Sequence, residues 1–186
     1  PNLMEHVVDY RPPVEVVASM ARREAERRHP DKKVGIFFIA PCTAKISFIK
    51  ESDEVVDSDI DKMIAISDIY KQVLQNLEEL KDEEIEDLEK AGMTGLRWPS
   101  PGGESLSLQT DDFVAVDGID KVIDIFEKIE DEKLDGLAFV ETESCRGGCF
   151  GGSLTVENSY SAKANIKPLI DEAKEKYGER TLNLPG

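Results

Sequence analysis

The chain has 186 residues, 40% apolar and 33% charged, and its 23 Lys and Arg against 39 Asp and Glu give a formal net charge of −16. That balance excludes a nucleic-acid surface, whose affinity rests on cationic side chains, and an anionic membrane face on the same ground. No run approaches the roughly 18 apolar residues of a spanning helix, and the start, Pro1-Asn2-Leu3-Met4-Glu5-His6, is no signal peptide. The expectation is a soluble, cytoplasmic α/β protein, with residues 1–186 forming a single domain. Because the chain begins at Pro1 rather than Met, it reads as an excised piece of a longer multidomain protein.

Pro12-Pro13 opens a helix over 14–28, since proline is tolerated where the first helical N–H has no intrahelical partner. Val17, Met20, Ala21 and Ala25 form its apolar face, and Arg22, Arg23, Glu24, Glu26 and Arg27 its solvated one. The run Val34-Gly35-Ile36-Phe37-Phe38-Ile39-Ala40 predicts a strand covered on both faces, as in a parallel sheet. Met63-Ile64-Ala65-Ile66, Phe113-Val114-Ala115-Val116 and Leu137-Ala138-Phe139-Val140 are three further runs of that kind. Ser67 is the expected N-cap of a helix carrying Ile69, Val73, Leu74 and Leu77. Further helices are expected over 83–90, with Ile85 and Leu88, across Ile119, Val122, Ile123, Phe126 and Ile129, and over 164–176. This alternation predicts a four-stranded, mostly parallel sheet with right-handed crossovers, flanked by about five helices. The longest irregular stretch, residues 92–112, holds Trp98, Pro99, Pro101, Gly102 and Gly103. Loops of that length are often functional, and Trp98 reads as an anchor within it.

Open parallel sheets bind ligands beyond the carboxyl ends of their strands. The first strand runs into Pro41-Cys42-Thr43-Ala44-Lys45, and the fourth into Glu141-Thr142-Glu143-Ser144-Cys145-Arg146-Gly147-Gly148-Cys149-Phe150-Gly151-Gly152. All three cysteines of the chain are therefore expected just past strand ends on the same edge of one sheet. A metal–sulfur cluster needs close backbone wrapping with N–H groups aimed at its sulfurs, and Gly147, Gly148, Gly151 and Gly152 permit both. The three sulfurs are expected to converge, although three thiolates are one short of the four that hold a cubane. Inert buried thiols, a Cys145–Cys149 disulfide and a zinc site completed by histidine are the competing readings. His6 and His29 are not spaced as partners and read as surface residues.

These two motifs resemble those of the iron-only ([FeFe]) hydrogenase large subunit. Pro41-Cys42-Thr43-Ala44-Lys45 is similar to the family's second cluster motif, and residues 141–152 to its last, with the likeness running over about residues 1–160. The resemblance implies one lobe of the hydrogenase catalytic domain, with a [4Fe–4S] cluster bound by Cys42, Cys145 and Cys149 and a fourth ligand outside this chain. It assigns Cys149 the bridge to a two-iron centre, Lys45 a hydrogen bond to a cyanide of that centre, and Glu141 the place of a family glutamate. Departures argue against the two-iron centre. Phe48 stands where the family has a proton-relay glutamate, and Glu143 where it usually has a methionine over the two-iron centre. A carboxylate there would repel an anionic group unless protonated, and phenylalanine relays no proton.

The segments Ala65-Ile66-Ser67-Asp68-Ile69-Tyr70, Gly102-Gly103-Glu104-Ser105-Leu106 and Leu154-Thr155-Val156-Glu157-Asn158 are similar to those of divergent multidomain members. In those proteins ferredoxin-like clusters precede the hydrogenase domain, which implies an upstream ferredoxin-like domain or a redox protein as partner. The function implied is electron transfer or hydrogen or redox sensing. The alternatives are a genuine hydrogenase lobe with an altered proton path and a cofactor-free interaction domain.

Overall fold

In the computed structural model, residues 3–52, 58–79, 92–108 and 110–178 are described. The chain divides into two compact units. The first unit comprises Val7–Lys81 and the short return segment Ser153–Val156; the second comprises Pro1–His6, Asp82–Gly152 and Glu157–Gly186. The helix expected over 83–90 lies outside the described residues.

The first unit contains helix α1 (Pro13–Arg28), strand β1 (Phe37–Ala40), helix α2 (Thr43–Ser52), strand β2 (Lys62–Ala65) and helix α3 (Ile66–Glu79). β1 and β2 pair in parallel, Phe37 opposite Lys62 and Ala40 opposite Ala65. Parallel neighbours need a crossover, and α2 lies within it. Ala18 and Ile60 are buried together, with Val14, Ile36, Phe38 and Met63 packed around them.

Two local expectations fail here for one reason. α1 turns Glu15 and Ala18 inward, while Val17 and Met20 are exposed. Arg22, expected on the solvated stripe, instead donates to the Asp59 carbonyl at 2.9 Å and pairs with the Asp61 carboxylate at 2.7 Å. Asp61 in turn accepts the Ile36 N–H at 2.6 Å, and the Ile36 carbonyl accepts from Asp61 N at 2.9 Å. The Ile36 N–H and the Arg22 guanidinium together hold the Asp61 carboxyl below the usual carboxylate range. With the backbone of Ile36 committed to this bracket, the strand starts at Phe37 rather than Val34. It is not covered on both faces: Phe37 and Ile39 are exposed, whereas Ala40 is fully buried. A further correction concerns Ser67, which lies inside the first turn of α3 rather than capping it. Its N–H donates to the Leu154 carbonyl at 3.1 Å, while Leu154 N donates to the Pro41 carbonyl at 2.9 Å. The return segment thus ties together the exits of β1 and β2.

The second unit contains helix α4 (Met93–Arg97), strand β3 (Phe113–Asp117), helix α5 (Ile119–Glu130), strand β4 (Phe139–Glu143) and helix α6 (Ser159–Tyr177). β3 and β4 are parallel, Phe113 opposite Phe139 and Asp117 opposite Glu143, with α5 between them in the chain. Among its described residues Val122 and Ala173 are buried apolar side chains. α6 begins at Ser159 because the Asn158 side chain accepts from Tyr160 N at 2.9 Å, an N-cap that satisfies an orphan donor. It continues through Pro168.

The α/β class and the parallel pairing agree with the sequence. The single four-stranded sheet does not: the described strands form two sheets of two, β1–β2 and β3–β4. Hydrophobic runs report strand character but carry no information about which strands share a ladder. Among the described residues no helix is long and apolar enough to cross a membrane.

Candidate functional site

None of the three cysteines is in a disulfide. Cys42 stands two residues beyond the end of β1, half-buried, immediately before α2. α2 was not expected from the sequence, and it places Lys45, which is exposed, in its first turn. Thr43 N donates to Ser153 Oγ at 3.4 Å. The position of the Phe48 side chain lies outside what is described.

In the second unit β4 extends past the expected Val140 to Glu143, and Cys145 follows two residues later, half-buried, with Cys149 exposed. The loop between them is fastened along its length. The Glu143 and Ser144 carbonyls accept from Gly118 N at 2.9 Å and Ile119 N at 3.1 Å. Gly147 N donates to the Asp117 carboxylate. Gly148 N donates to the Cys145 carbonyl at 3.2 Å, and Gly152 N to the Cys149 carbonyl at 3.2 Å.

The glycines are required for packing. Gly147 and Gly148 have φ of +84° and +69°, where side chains are strained. A Cβ on Gly148 would lie 2.6 Å from the Pro99 carbonyl oxygen and 2.6 Å from Glu143 Oε2, and one on Gly151 would lie 1.9 Å from the Arg146 carbonyl oxygen. Sequence reasoning assigned the glycine N–H groups to cluster sulfurs; those of Gly147, Gly148 and Gly152 are engaged within the protein instead.

Two carboxylates lie on β4 side by side, since residues two apart in a strand share a face. Glu141 is 5% exposed and accepts three hydrogen bonds: Gly102 N at 3.0 Å, Ser105 N at 2.8 Å and Ser105 Oγ at 2.6 Å. It therefore pins residues 102–105 to the strand. Trp98 anchors the same stretch, as expected, through Nε1 donating to Glu104 Oε1 at 2.6 Å. Glu143 is half-buried, and its Oε2 is buried without a hydrogen-bond partner. Burial, reinforced by the charges of Glu141, Asp117 and Glu104, pushes its carboxyl up to about 7. This acidic setting of the loop is the feature that sequence reasoning missed. Its signal was the spacing Glu141-x-Glu143, with Asp117 at the end of the neighbouring strand.

As a donor set, three thiols suit iron–sulfur chemistry and leave one position of a cubane for a ligand from elsewhere. Among the described residues no three His, Cys, Asp or Glu side chains are gathered as a metal site.

No curated protein matches the chain. The family "iron only hydrogenase large subunit, C-terminal domain" matches over residues 1–110, a span that contains Cys42 and Lys45 and ends short of the Cys145/Cys149 loop. With more than half its length matched, the chain belongs to this family, that of the C-terminal domain of the iron-only hydrogenase large subunit.

Proposed function

We propose that the chain is an iron–sulfur redox domain serving electron transfer or the sensing of hydrogen or redox state. Cys42, Cys145 and Cys149 supply thiolates to a [4Fe–4S] cluster whose fourth ligand lies outside this chain. The observation that carries this reading is the set of three cysteines outside any disulfide, each in a loop that leaves a parallel strand, in a chain of this family. A bound cluster supplies one-electron transfer at a potential tuned by its surroundings.

The chain's own residues hold and shield that group. Gly147, Gly148, Gly151 and Gly152 let the loop fold tightly around Cys149. Lys45 offsets thiolate charge near Cys42, and Glu141 keeps the loop's support in place. Two features favour electron transfer or sensing over hydrogen production. Glu143 is a carboxyl, ionised above about pH 7, where the family usually has a methionine, and Phe48 offers no proton. An upstream ferredoxin-like domain or a separate redox protein is the expected electron partner, and the cytoplasm the expected setting.

Anaerobic reconstitution with iron and sulfide tests the reading, with metal analysis and electron paramagnetic resonance of the reduced protein. Iron uptake that falls in each of Cys42→Ser, Cys145→Ser and Cys149→Ser is expected. Uptake indifferent to all three substitutions would overturn it. Carbonyl and cyanide infrared bands after maturation with hydrogenase assembly factors would instead establish a two-iron centre.

A further inference from the structure

We infer that Glu141 is a positioning residue, which sets the closure of the Cys145/Cys149 loop through a bracket formed by residues 98–105. This deepens the cluster reading of the same loop and rests on it for its purpose, but the geometry and the test are independent of iron.

A buried carboxylate is costly unless its oxygens are satisfied. Glu141 meets that cost with three neutral donors, all from Gly102 and Ser105. Hydrogen bonds to an ionised acceptor are stronger than neutral ones, so this contact ties down the turn that makes it. The turn is stiff. Gly103 N donates to the Ser100 carbonyl at 2.8 Å, Ser100 N donates to the Arg97 carbonyl at 3.0 Å, and a Cβ on Gly103 would lie 2.2 Å from the Arg97 carbonyl oxygen. The Trp98–Glu104 hydrogen bond closes the bracket across its open side.

The far end of the bracket is Pro99, whose carbonyl oxygen rests against Gly148 at a distance that no side chain could share. Gly148 directly precedes Cys149. The carboxylate on β4 and the missing side chain at 148 are thus two ends of one mechanical connection. Loss of Glu141 releases the Gly102–Ser105 end of this connection from β4, which loosens Pro99 and lets the loop open at Gly148.

The test is alkylation of the reduced, metal-free chain under native conditions, resolved by cysteine with mass spectrometry, with Cys42 as the internal reference. Glu141→Ala is expected to raise the Cys145 rate relative to Cys42 at least about tenfold, as loss of charge-assisted hydrogen bonds to a buried acceptor should. Glu141→Gln, which keeps one carbonyl acceptor, should recover an intermediate rate. Gly148→Ala should raise the Cys145 rate comparably by displacing Pro99 from the other side. The double variant should add nothing further, because both changes break the same connection.

An unchanged ratio in folded Glu141→Ala would overturn the inference, as would additivity with Gly148→Ala. If Glu141→Ala does not fold, Ser105→Ala, which removes only the 2.6 Å hydroxyl donor, decides in its place. A rise of about twofold or more supports the bracket, and an unchanged ratio overturns it. Failed iron uptake with a positive alkylation result would refute the cluster reading while leaving the bracket intact.

Discussion

The two units place a cysteine in the same topological position, two residues past the end of a parallel strand, and hold the following loop by different means. In the first unit the loop is two residues long. Pro41 and Cys42 pass directly into α2, and the return segment fixes them through the Pro41 carbonyl and Thr43 N. In the second unit the corresponding loop is longer, built on glycines, held by the Asp117 carboxylate and packed against the Pro99 carbonyl, whose own turn is fastened by Glu141. A loop that ends in a helix is held by the helix's own backbone ladder. The second loop holds only a short 3-10 turn, Gly148–Gly151, and relies in addition on the Asp117 carboxylate and close backbone contacts. The same cysteine position therefore tolerates sequence change very differently in the two units.

Glycine substitution gives the largest contrast. Gly151→Ala should cost about 3 kcal/mol or more, because its Cβ meets backbone that cannot move aside. Thr43→Ala, at an exposed site, should stay within about 0.5 kcal/mol. Denaturant titration of both variants checks the pair, and equal losses would break the comparison.

Ile60→Ala in the apolar core of the first unit should cost about 3 kcal/mol. Hydrogen exchange should show the lost protection in β1 and β2.

A smaller, pH-dependent effect belongs to the second unit. The folded Glu143 carboxyl keeps its proton up to about pH 7, whereas an unfolded one releases it near 4.5. The native state therefore binds more protons between these values, so this contribution favours folding below pH 4.5 and is lost as pH rises to 7. Glu143→Gln should remove that decline and raise stability at pH 8 by about 1–2 kcal/mol, after allowance for the partial exposure of the carboxyl. Denaturation midpoints measured from pH 4.5 to 8 in both proteins decide it.

The smallest expected effect is at Lys45. Lys45→Met should slow Cys42 alkylation about twofold at low ionic strength and leave it unchanged at high salt, where an exposed charge is screened. A salt-independent difference would show that Lys45 acts by packing.

α5 was legible in the sequence because its apolar positions recur at helical spacing, and α1 because Pro12-Pro13 marks its start. The inward face of α1 was not legible. Hydropathy assigns Glu15 and Arg22 to water, yet Glu15 is 2% exposed and accepts from Ser58 Oγ at 2.9 Å. Partners supplied by a distant segment reverse the local preference. The positions of the cysteines just past strand ends were legible from residue type and spacing. The acidic anchor of the second unit's loop was not, because Asp117 meets the loop only after β3 and β4 pair.

Local periodicity and short motifs were enough for the α/β class, the parallel strand–helix–strand units, the loops that carry Cys42, Cys145 and Cys149, and membership of the hydrogenase family. None of these needs knowledge of distant neighbours. The division of the strands into two sheets of two, the inward turn of Arg22 and Glu15, and the packing of the Pro99 carbonyl against Gly148 emerge only in the folded chain. Each depends on a pairing between residues far apart in sequence. Burial and hydrogen bonding there override what the residue types prefer on their own.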